Sequence, residues 1–439
     1  MNCVVIVFKF NIKMKEKIGV NVIGYINGEF GLGEAVRLLI KAMQSVNIPV
    51  ALINFDVITN HRHEDKTFEN FSKDAPYPIN LVLLGPGEAS VPLTYFENTE
   101  LFKNKYNIYY LNWESEYFPQ EYLDNISFFD EIWVPAKYCQ NVIANVCQIP
   151  VNIIHYPIEI EIQDFVDEIA ENFYSKTSFN FLFIFDYNST LERKNPLNLI
   201  KAFKKAFNKQ DNTVSLTIKT SRANRFAKEK SKLLDEIDGY ENIKIVEKIF
   251  EKETLHNIIK GCDSYVSLHR SEGFGLTMAE AMFFSKPVIA TGYSGNLEFM
   301  TNENSFLVNY KTTTVDSKII NYDKNTIWSD PDFEHMSELM KKVKENSDSV
   351  KEIAKKGNET IRNNFSTIKI GNEIKNRLEL IVKDYKVDAI KNAYISVFIE
   401  NTKLRNELRL VYKSKLITRI LEIKLYFRNR KLKRKNKNN

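Results

Sequence analysis

The 439-residue sequence lacks the features that mark secreted, membrane-spanning and metal-binding proteins. Its cysteines are few, and their spacing is not that of a metal site: Cys3, Cys139, Cys147 and Cys262. Reduced thiols in a cytosolic protein are the simplest interpretation. No run approaches the ~20 apolar residues of a membrane-spanning helix, and the apolar start lacks the basic residues and cleavage site of a signal peptide. We therefore expect a cytoplasmic protein in which residues 1–17 form an N-terminal extension.

Net positive charge is concentrated at the end of the chain. Residues 403–439 hold 14 Lys and Arg against two acidic residues, whereas the other 402 residues carry a net charge of −7. A basic tail on a mildly acidic body argues against a nucleic-acid-binding core. Apolar residues recur along the tail at helical spacing, which predicts a basic amphipathic helix. It is expected to lie peripherally on the inner, anionic face of the cytoplasmic membrane, or to pack on the body or on a partner protein.

Strand-like and helix-like segments alternate over most of the chain. Buried-type runs such as 18–26 and 179–186 are followed by helical periods such as 34–46 and 196–208. This alternation is typical of parallel sheets with crossover helices. The pattern breaks at an acidic stretch between Glu159 and Lys176 and then restarts.

The fold class predicted from this pattern is α/β, with two Rossmann-like doubly wound domains that face each other across a cleft. Ligands of such sheets bind at the carboxyl ends of the strands. The predicted divisions are an N-terminal domain, a C-terminal domain, a helix that packs back on the body, and the basic tail: 18–165, 166–380, 381–402 and 403–439.

The most informative segment runs from Ser267 to Met300. Glu272 lies in a loop with two glycines that let the backbone approach a ligand closely. A helix starts near Leu276, so its free N–H groups form an anion site suited to a diphosphate. Glu280 lies early in that helix and can accept hydrogen bonds from sugar hydroxyls. The alternative is a glycine turn with a helix-capping glutamate.

The complete string resembles the signature of the family-four retaining glycosyltransferases: Glu272-Gly-Phe-Gly-Leu-Thr-Met-Ala-Glu280-Ala-Met, then Lys286-Pro-Val-Ile-Ala. Ser285 departs from the glycine of many relatives. The resemblance implies a GT-B fold, with Glu272 near the donor sugar and Glu280 on the ribose of a nucleotide. It also implies donor contacts from the rest of the motif and from the following glycine turn: Gly273, Phe274, Gly275, Leu276, Thr277, Ser294, Gly295 and Asn296.

A second constellation supplies positive charge after the first strand of domain two. Arg193 and Lys194 precede a helix that opens at Pro196, where two cations would neutralise a leaving diphosphate. The resembling family carries an arginine and a lysine about five residues apart, whereas here they are adjacent and Asp186 stands near the usual arginine position. Lys194 is the better-supported phosphate ligand, and Lys219 is a further candidate. The alternative for the pair is a solvated position beside a helix start.

The glycine loop from Gly28 to Gly33 follows the first strand. Its spacing differs from a dinucleotide fingerprint, which excludes a nicotinamide redox enzyme. It resembles the family's N-terminal loop, so Gly31 and Gly33 are expected near the donor phosphates; a tight strand-to-helix turn is the alternative.

Trp113 and Glu114 occupy the place where relatives often have a histidine near the donor sugar or acceptor. An aromatic ring stacks on a sugar face, and a carboxylate can bind or deprotonate an acceptor hydroxyl. His269 and Arg270 adjoin Glu272 and are further cleft candidates. Glu272, Glu114 and His269 are therefore the candidate catalytic residues, and structural roles are the alternative for the last two.

The resulting expectation is retaining transfer of a hexose from a nucleotide sugar, with GDP-mannose favoured over UDP sugars. The acceptor is a glycan or lipid-linked glycan of bacterial surface-polysaccharide synthesis, held by the N-terminal domain while the C-terminal domain holds the donor. No Asp-x-Asp occurs in a fitting place, so we expect no metal and no cofactor beyond the nucleotide sugar. A nucleotide-sugar hydrolase or epimerase, or a non-catalytic binding subunit, is the alternative.

Overall fold

A computed structural model gives the structure of most of the chain. It describes the following residues: 18–56, 62–92, 101–161, 168, 172–316, 319, 323, 326–384, 391–401, 404, 407 and 408. The predicted N-terminal extension and nearly all of the predicted tail lie outside these residues, as does the predicted domain boundary at 165.

Two six-stranded parallel sheets form the framework. The first has the order β2-β1-β3-β4-β5-β6 and consists of β1 (Val20–Gly24), β2 (Val50–Asn54), β3 (Ile79–Leu83), β4 (Tyr106–Tyr110), β5 (Glu131–Val134) and β6 (Val151–Ile153). The second has the order β12-β11-β10-β7-β8-β9 and consists of β7 (Phe179–Asp186), β8 (Val214–Ser221), β9 (Ile243–Glu247), β10 (Ser264–Ser267), β11 (Val288–Thr291) and β12 (Phe306–Val308). The predicted pair of doubly wound sheets is confirmed.

Helices cover both sheets, and a hairpin of β13 (Tyr310–Thr314) and β14 (Ile327–Pro331) follows the second one. The helices are α1 (Gly31–Ser45), α2 (Gln120–Ile126), α3 (Lys137–Ala144), α4 (Leu191–Lys194), α5 (Pro196–Ala206), α6 (Ala227–Ile237), α7 (Lys252–Gly261), α8 (Leu276–Phe283), α9 (Phe333–Lys344), α10 (Asp348–Asn364) and α11 (Thr367–Asp384). Residues 391–401 form a further helix. The sequence analysis did not predict the hairpin.

Strands such as β3, β7 and β11 are almost continuous apolar runs because helices cover both faces of each sheet. A ladder of buried asparagines crosses the first sheet: Asn21 Nδ2 donates to Asn80 Oδ1 at 2.8 Å, and Asn80 Nδ2 donates to Asn107 Oδ1 at 2.7 Å. All three side chains are fully buried. An unpaired buried amide is costly, so this ladder favours a single register of β1, β3 and β4.

The glycine loop differs from the prediction. Helix α1 begins at Gly31, three residues earlier than the sequence suggested, so Gly31 and Gly33 lie in its first turn. The Cβ of any other residue at position 33 would come within 2.0 Å of the Gly28 carbonyl oxygen. Glycine is therefore required there because the backbone before the helix passes directly against it.

The last described helices return to the first domain. Helix α11 packs on α1, where the Cβ of any side chain at Gly371 would meet the carbonyl oxygen of Ala42 at 2.4 Å. Residues 391–401 then bury Ile395 and Ile399 in the core beside α2 and β5. The last helix before the predicted tail, residues 391–401, therefore packs on the first domain.

His155, after β6, joins the two domains through a charged contact. Its Nε2 lies 3.0 Å from Glu298 Oε2 of the second domain, and its Nδ1 lies 3.9 Å from Glu373 Oε2 on α11. Burial lowers the pKa of His155, but hydrogen bonds and charge from Glu298 and Glu373 outweigh it and raise the pKa to about 9. Glu298 also accepts a hydrogen bond from the backbone N–H of Lys137, the first residue of α3.

We expect this contact to make stability depend on pH. A histidine with a pKa near 6.5 when unfolded and about 9 when folded stabilises the protein fully below pH 6.5 and loses that contribution as the pH rises through 9. Between pH 6.5 and 9.5, wild-type protein should lose roughly 1–3 kcal/mol more unfolding free energy than His155→Gln. Urea denaturation at the two pH values measures the difference. Equal losses in the two proteins would contradict the assignment.

Candidate active site

A cleft of about 1500 Å³ lies between the two domains. One wall consists of the loop before α1, residues 62–67, and residues 84–86 and 112–114 of the first domain. The other wall follows the strand ends of the second domain and the start of α8. In a doubly wound sheet this edge is the place where ligands bind.

Glu272 lies behind this second wall. Its side chain is buried, and both carboxylate oxygens are occupied: Lys194 donates to Oε1, and Arg193 Nη1 donates to Oε2 at 3.2 Å. Its backbone N–H donates to Ser294 Oγ at 2.8 Å. Lys194 lines the cleft whereas Glu272 does not. The Glu272 carboxylate therefore affects a ligand in the cleft through its ion pair with Lys194.

The charges of this cluster determine each other's protonation. Burial raises the pKa of Glu272, but Lys194, Arg193 and His269 lower it to about 2. Burial lowers the pKa of Lys194, Glu272 opposes that shift, and the net result is a lowered pKa. Glu272 is therefore ionised at neutral pH, and its charge opposes the lowering of the Lys194 pKa by burial.

Arg193 is buried beneath the cleft wall. Its guanidinium donates to the carbonyl oxygens of Ser189 and Ser271 and pairs with Glu272 and, at 3.4 Å, with Glu114. It is 4% exposed and does not line the cleft, which corrects its prediction as a donor ligand. The short helix α4 carries neighbouring residues on different sides, so only Lys194 reaches the cleft.

Lys219, on β8, does line the cleft. It is 7% exposed, and no residue in the described part of the chain forms a hydrogen bond or ion pair with its ammonium group. Burial lowers its pKa to about 8, although Asp186 raises it. A buried, unpaired lysine beside a cleft is strongly stabilised by any anion that binds there.

Asp186 and Arg222 form a pair that the sequence did not reveal. Asp186 ends β7, and its Oδ2 accepts hydrogen bonds from Arg222 Nη1 and, at 2.9 Å, from Ser221 Oγ at the end of β8. Asp186 and Ser221 are direct neighbours in the register of the two strands. Arg222 lines the cleft. It comes near Asp186 because β7 and β8 pair side by side at their ends.

Helix α8 presents three cleft residues, Leu276, Thr277 and Glu280. Its N-cap, Gly275, has a φ of +99°, a conformation that glycine adopts without strain. Glu280 Oε1 lies 3.5 Å from Nε2 of His256 on α7, which also lines the cleft. His256 is a cleft residue that sequence reasoning missed, because it lies in a helix with no motif.

The glycine loop of the first domain is held by a buried arginine. Arg37 Nη1 donates to the carbonyl oxygens of Ile26 at 2.9 Å and Gly28 at 2.8 Å, and Nη2 pairs with Glu34 at 3.0 Å. Glu34 in turn reaches Lys252 of the second domain at 2.5 Å. Gly31 faces open space in the cleft, whereas Gly33 packs inside the turn.

Several predicted residues support the site without lining the cleft. His269 is fully buried; its Nε2 lies 3.2 Å from the carbonyl oxygen of Tyr293 and from Asn296 Oδ1. Arg270 turns to the hairpin, where its Nη1 lies 2.6 Å from Asp330 Oδ1. Their prediction as cleft groups is therefore corrected. A polar side chain beside a motif can find its hydrogen-bond or ion-pair partners within the domain and need not face the cleft. The same holds for four others, none of which lines the cleft: Phe274, Ser294, Gly295 and Asn296.

The loop after β4 meets the Glu272 loop across the domain boundary. Ser271 Oγ donates to the carbonyl oxygen of Glu114, and the Cβ of any side chain at Gly273 would lie 2.5 Å from Asn112 Oδ1. Trp113 and Glu114 line the cleft as predicted for their position, while Gly273 lies in this contact. The indole of Trp113 donates to the carbonyl oxygen of Tyr117 at 3.2 Å.

The described residues contain no group of three or more His, Cys, Asp or Glu side chains that could hold a metal ion. None of their helices is both long and apolar enough to cross a membrane.

Comparison with known proteins places these features in context. Residues 174–360 match the family model of the glycosyl transferases group 1. No curated protein matches the sequence significantly. Sucrose-phosphate synthase from Thermosynechococcus elongatus is similar in structure, with a TM-score of 0.61 and 13% identity over 84% of this chain and 100% of that chain.

Two other solved structures are similar over a comparable length. Anabaena HepE in complex with UDP and glucose has a TM-score of 0.59 and 13% identity, over 83% of this chain and 100% of that chain. A glycosyltransferase from Rickettsia africae has a TM-score of 0.59 and 15% identity, over 84% of this chain and 100% of that chain. The chain thus has the two-domain GT-B fold, and most of its second domain matches the glycosyl transferases group 1.

Proposed function

We propose that the protein is a retaining glycosyltransferase that moves a hexose from a nucleotide sugar to a glycan or lipid-linked acceptor. The observation that carries the proposal is one cleft wall that presents Lys194, Lys219 and Glu280 together. Two buried cations suit a diphosphate, and a carboxylate on the same wall suits the hydroxyls of a ribose. The family match covers this wall.

The donor binds to the second domain. Its diphosphate lies against Lys194 and Lys219, and its ribose lies against Glu280 near the first turn of α8. The N–H groups of that turn, at Leu276 and Thr277, favour the same negative charge. Glu272 acts from behind, by keeping Lys194 in place and protonated.

The acceptor enters from the first domain. Glu114 and Trp113 border the cleft there, and Glu114 can accept a hydrogen bond from the attacking hydroxyl. Both oxygens of Glu272 are held by Lys194 and Arg193, so this carboxylate is poorly placed as a covalent nucleophile. That arrangement supports attack on the same face as the departing diphosphate, with a phosphate oxygen taking the acceptor proton while the new glycosidic bond forms.

Two classes of nucleotide sugar are candidate donors. The motif resemblance favours GDP-mannose and a role in bacterial surface-polysaccharide synthesis. The structure of Anabaena HepE holds UDP-glucose, which keeps UDP-hexoses as the second candidates for this chain.

A donor screen by thermal shift tests the proposal. A ligand at about 100 times its dissociation constant stabilises a protein by about 2.7 kcal/mol, which a melting curve resolves. We expect GDP-mannose or a UDP-hexose to stabilise the protein, followed by release of nucleoside diphosphate when lipid-linked acceptors are added. Release without acceptor would favour a hydrolase, and isomerised donor would favour an epimerase. Binding without turnover over a full set of acceptors would favour a non-catalytic subunit.

Transfer is expected to survive chelation of divalent ions. Lys194, Lys219 and the start of α8 supply the positive charge that a metal ion supplies in other transferases. Initial rates in excess EDTA should equal those in EDTA with a molar excess of Mg²⁺. Loss of activity in EDTA that Mg²⁺ or Mn²⁺ restores would show that these electrostatics are wrong.

The basic tail is expected to hold the enzyme at an anionic membrane. The described helix before it lies on the acceptor domain, and Leu404 and Leu408 at its continuation are 53% and 59% exposed. Each basic residue near such a surface contributes about 1 kcal/mol, so the tail's 14 basic residues are sufficient for binding without a spanning helix.

Flotation with vesicles of increasing anionic lipid content measures this attachment. The full-length protein should float at low salt and should be released by high salt, whereas a truncation after Asn401 should remain in the dense fraction. If both forms float equally, or neither does, a protein partner becomes the better assignment for the tail.

A further inference from the structure

The two arginines beside the cleft differ in how their guanidinium groups are used. Arg193 uses its donors on Ser189, Ser271 and two carboxylates, and its own side chain does not line the cleft. Arg222 lines the cleft, and described residues accept only one hydrogen bond from each of its Nη1 and Nη2 atoms. Since a guanidinium has five N–H donors, Arg222 keeps donors available for a ligand.

The backbone at Arg222 supports a specific role for this side chain. Its φ of +67° lies in the left-handed region, which is unfavourable for a residue other than glycine. Such conformations persist where the surrounding structure requires them, and they concentrate at functional sites. Here the turn at the end of β8 directs the arginine across the strand end toward Asp186, into the same wall as Lys219.

Arg222 also touches the opposite domain. Its Nη2 donates to the backbone carbonyl oxygen of Glu29 at 3.4 Å, inside the glycine loop of the first domain. Nη1 of the same guanidinium forms an ion pair with Asp186 Oδ2. An anion between the two domains would therefore meet Arg222 at the point where the glycine loop approaches the second domain.

We propose that Arg222 is a ligand of the donor's diphosphate, supplying from the end of β8 the second strong cation that Arg193 cannot supply. The proposal rests on the function proposed above. Asp186 orients the guanidinium and partly neutralises it until the diphosphate arrives. Arg222, Lys194 and Lys219 then contact the diphosphate from three different positions on one wall, and the contact with Glu29 places the glycine loop against it.

Calorimetric titration of the full-length protein with nucleoside diphosphates and monophosphates tests the proposal. The probes are GDP and UDP against GMP and UMP. Arg222→Ala should weaken binding of the preferred diphosphate about ten- to a hundredfold, the effect of losing a charge-assisted hydrogen bond. Binding of the monophosphate should change less than threefold. Arg222→Lys should lie between wild type and Arg222→Ala.

Two further variants separate ligand binding from a structural role. Arg225→Ala, an exposed arginine in the same turn that does not line the cleft, should bind like wild type. Asp186→Asn removes a negative charge beside the diphosphate, so its diphosphate affinity should equal or exceed that of wild type. If Arg222 only joins β7 to β8, Asp186→Asn should weaken binding as Arg222→Ala does.

The binding results separate a failure of the Arg222 assignment from a failure of the proposed function. Equal losses for diphosphate and monophosphate in Arg222→Ala, or no loss for either, would overturn the role of Arg222 while leaving the proposed function intact. Failure of the wild-type protein to bind any nucleoside diphosphate would overturn the proposed function and this inference with it.

Discussion

Glu272→Gln should reduce transfer at pH 7 on the order of a hundredfold and shift the activity of the remaining enzyme toward acid pH. The glutamine keeps the shape of the side chain but removes the charge that opposes the effect of burial on the Lys194 pKa. Burial and Arg193 then act together to lower that pKa further. A larger fraction of Lys194 becomes neutral near pH 7, and a neutral amine cannot balance the charge of a leaving diphosphate.

Rate profiles from pH 5.5 to 9 measure the shift, with Glu303→Gln, an exposed substitution in the following loop, as the matched control. Glu272→Gln should also be less stable than wild type, because breaking a buried ion pair by removing one partner costs roughly 3–5 kcal/mol. Thermal melting checks that the protein remains folded at the assay temperature. A wild-type rate with an unshifted profile would show that Lys194 does not depend on Glu272.

Glu280→Ala should severely reduce transfer at ordinary donor concentrations while leaving the fold intact. Its side chain lines the cleft, and among the described residues it forms one ion-pair contact, with His256 at 3.5 Å, so little of the protein's stability depends on it. Loss of a carboxylate that accepts hydrogen bonds from ribose should cost roughly 1.5–3 kcal/mol of donor binding. The dissociation constant for the nucleoside diphosphate should rise about ten- to a hundredfold.

Calorimetry with the nucleoside diphosphate and with inorganic pyrophosphate identifies the contact. Binding of pyrophosphate should be unchanged in Glu280→Ala, because it has no ribose. Glu352→Ala, an exposed glutamate on α10, serves as the control. Wild-type affinity for the nucleoside diphosphate in Glu280→Ala would remove Glu280 from the donor site.

The fold was largely predictable because parallel strands buried on both faces leave a strong mark on sequence. Runs such as Phe179–Asp186 are too apolar to be anything but a covered strand or a buried helix, and the turns around them decide between the two. The hairpin of β13 and β14 was missed because β13 is largely exposed and carries no apolar run: Tyr310–Thr314 reads Tyr-Lys-Thr-Thr-Thr.

The site was predictable only in part. Lys194, Lys219, Glu114 and Glu280 line the cleft, because residues that follow parallel strands or open the next helix collect at one sheet edge. Arg193 and His269 stand beside such residues in the sequence but point into the protein. Adjacency along the chain carries no information on which side of a short helix or loop a side chain leaves.

The sequence alone determined the two α/β domains, the glycine turn before α8 and the carboxylates near it, because periodicity, turn chemistry and motif spacing are local properties. Only the tertiary structure decided which cations face the cleft. It brought Arg222 to Asp186 through the pairing of β7 with β8, and placed Glu272 behind Lys194 through the packing of the Glu272 loop on helix α4. These contacts join residues 36 and 78 positions apart, and their geometry follows from strand order and burial, which no local pattern encodes.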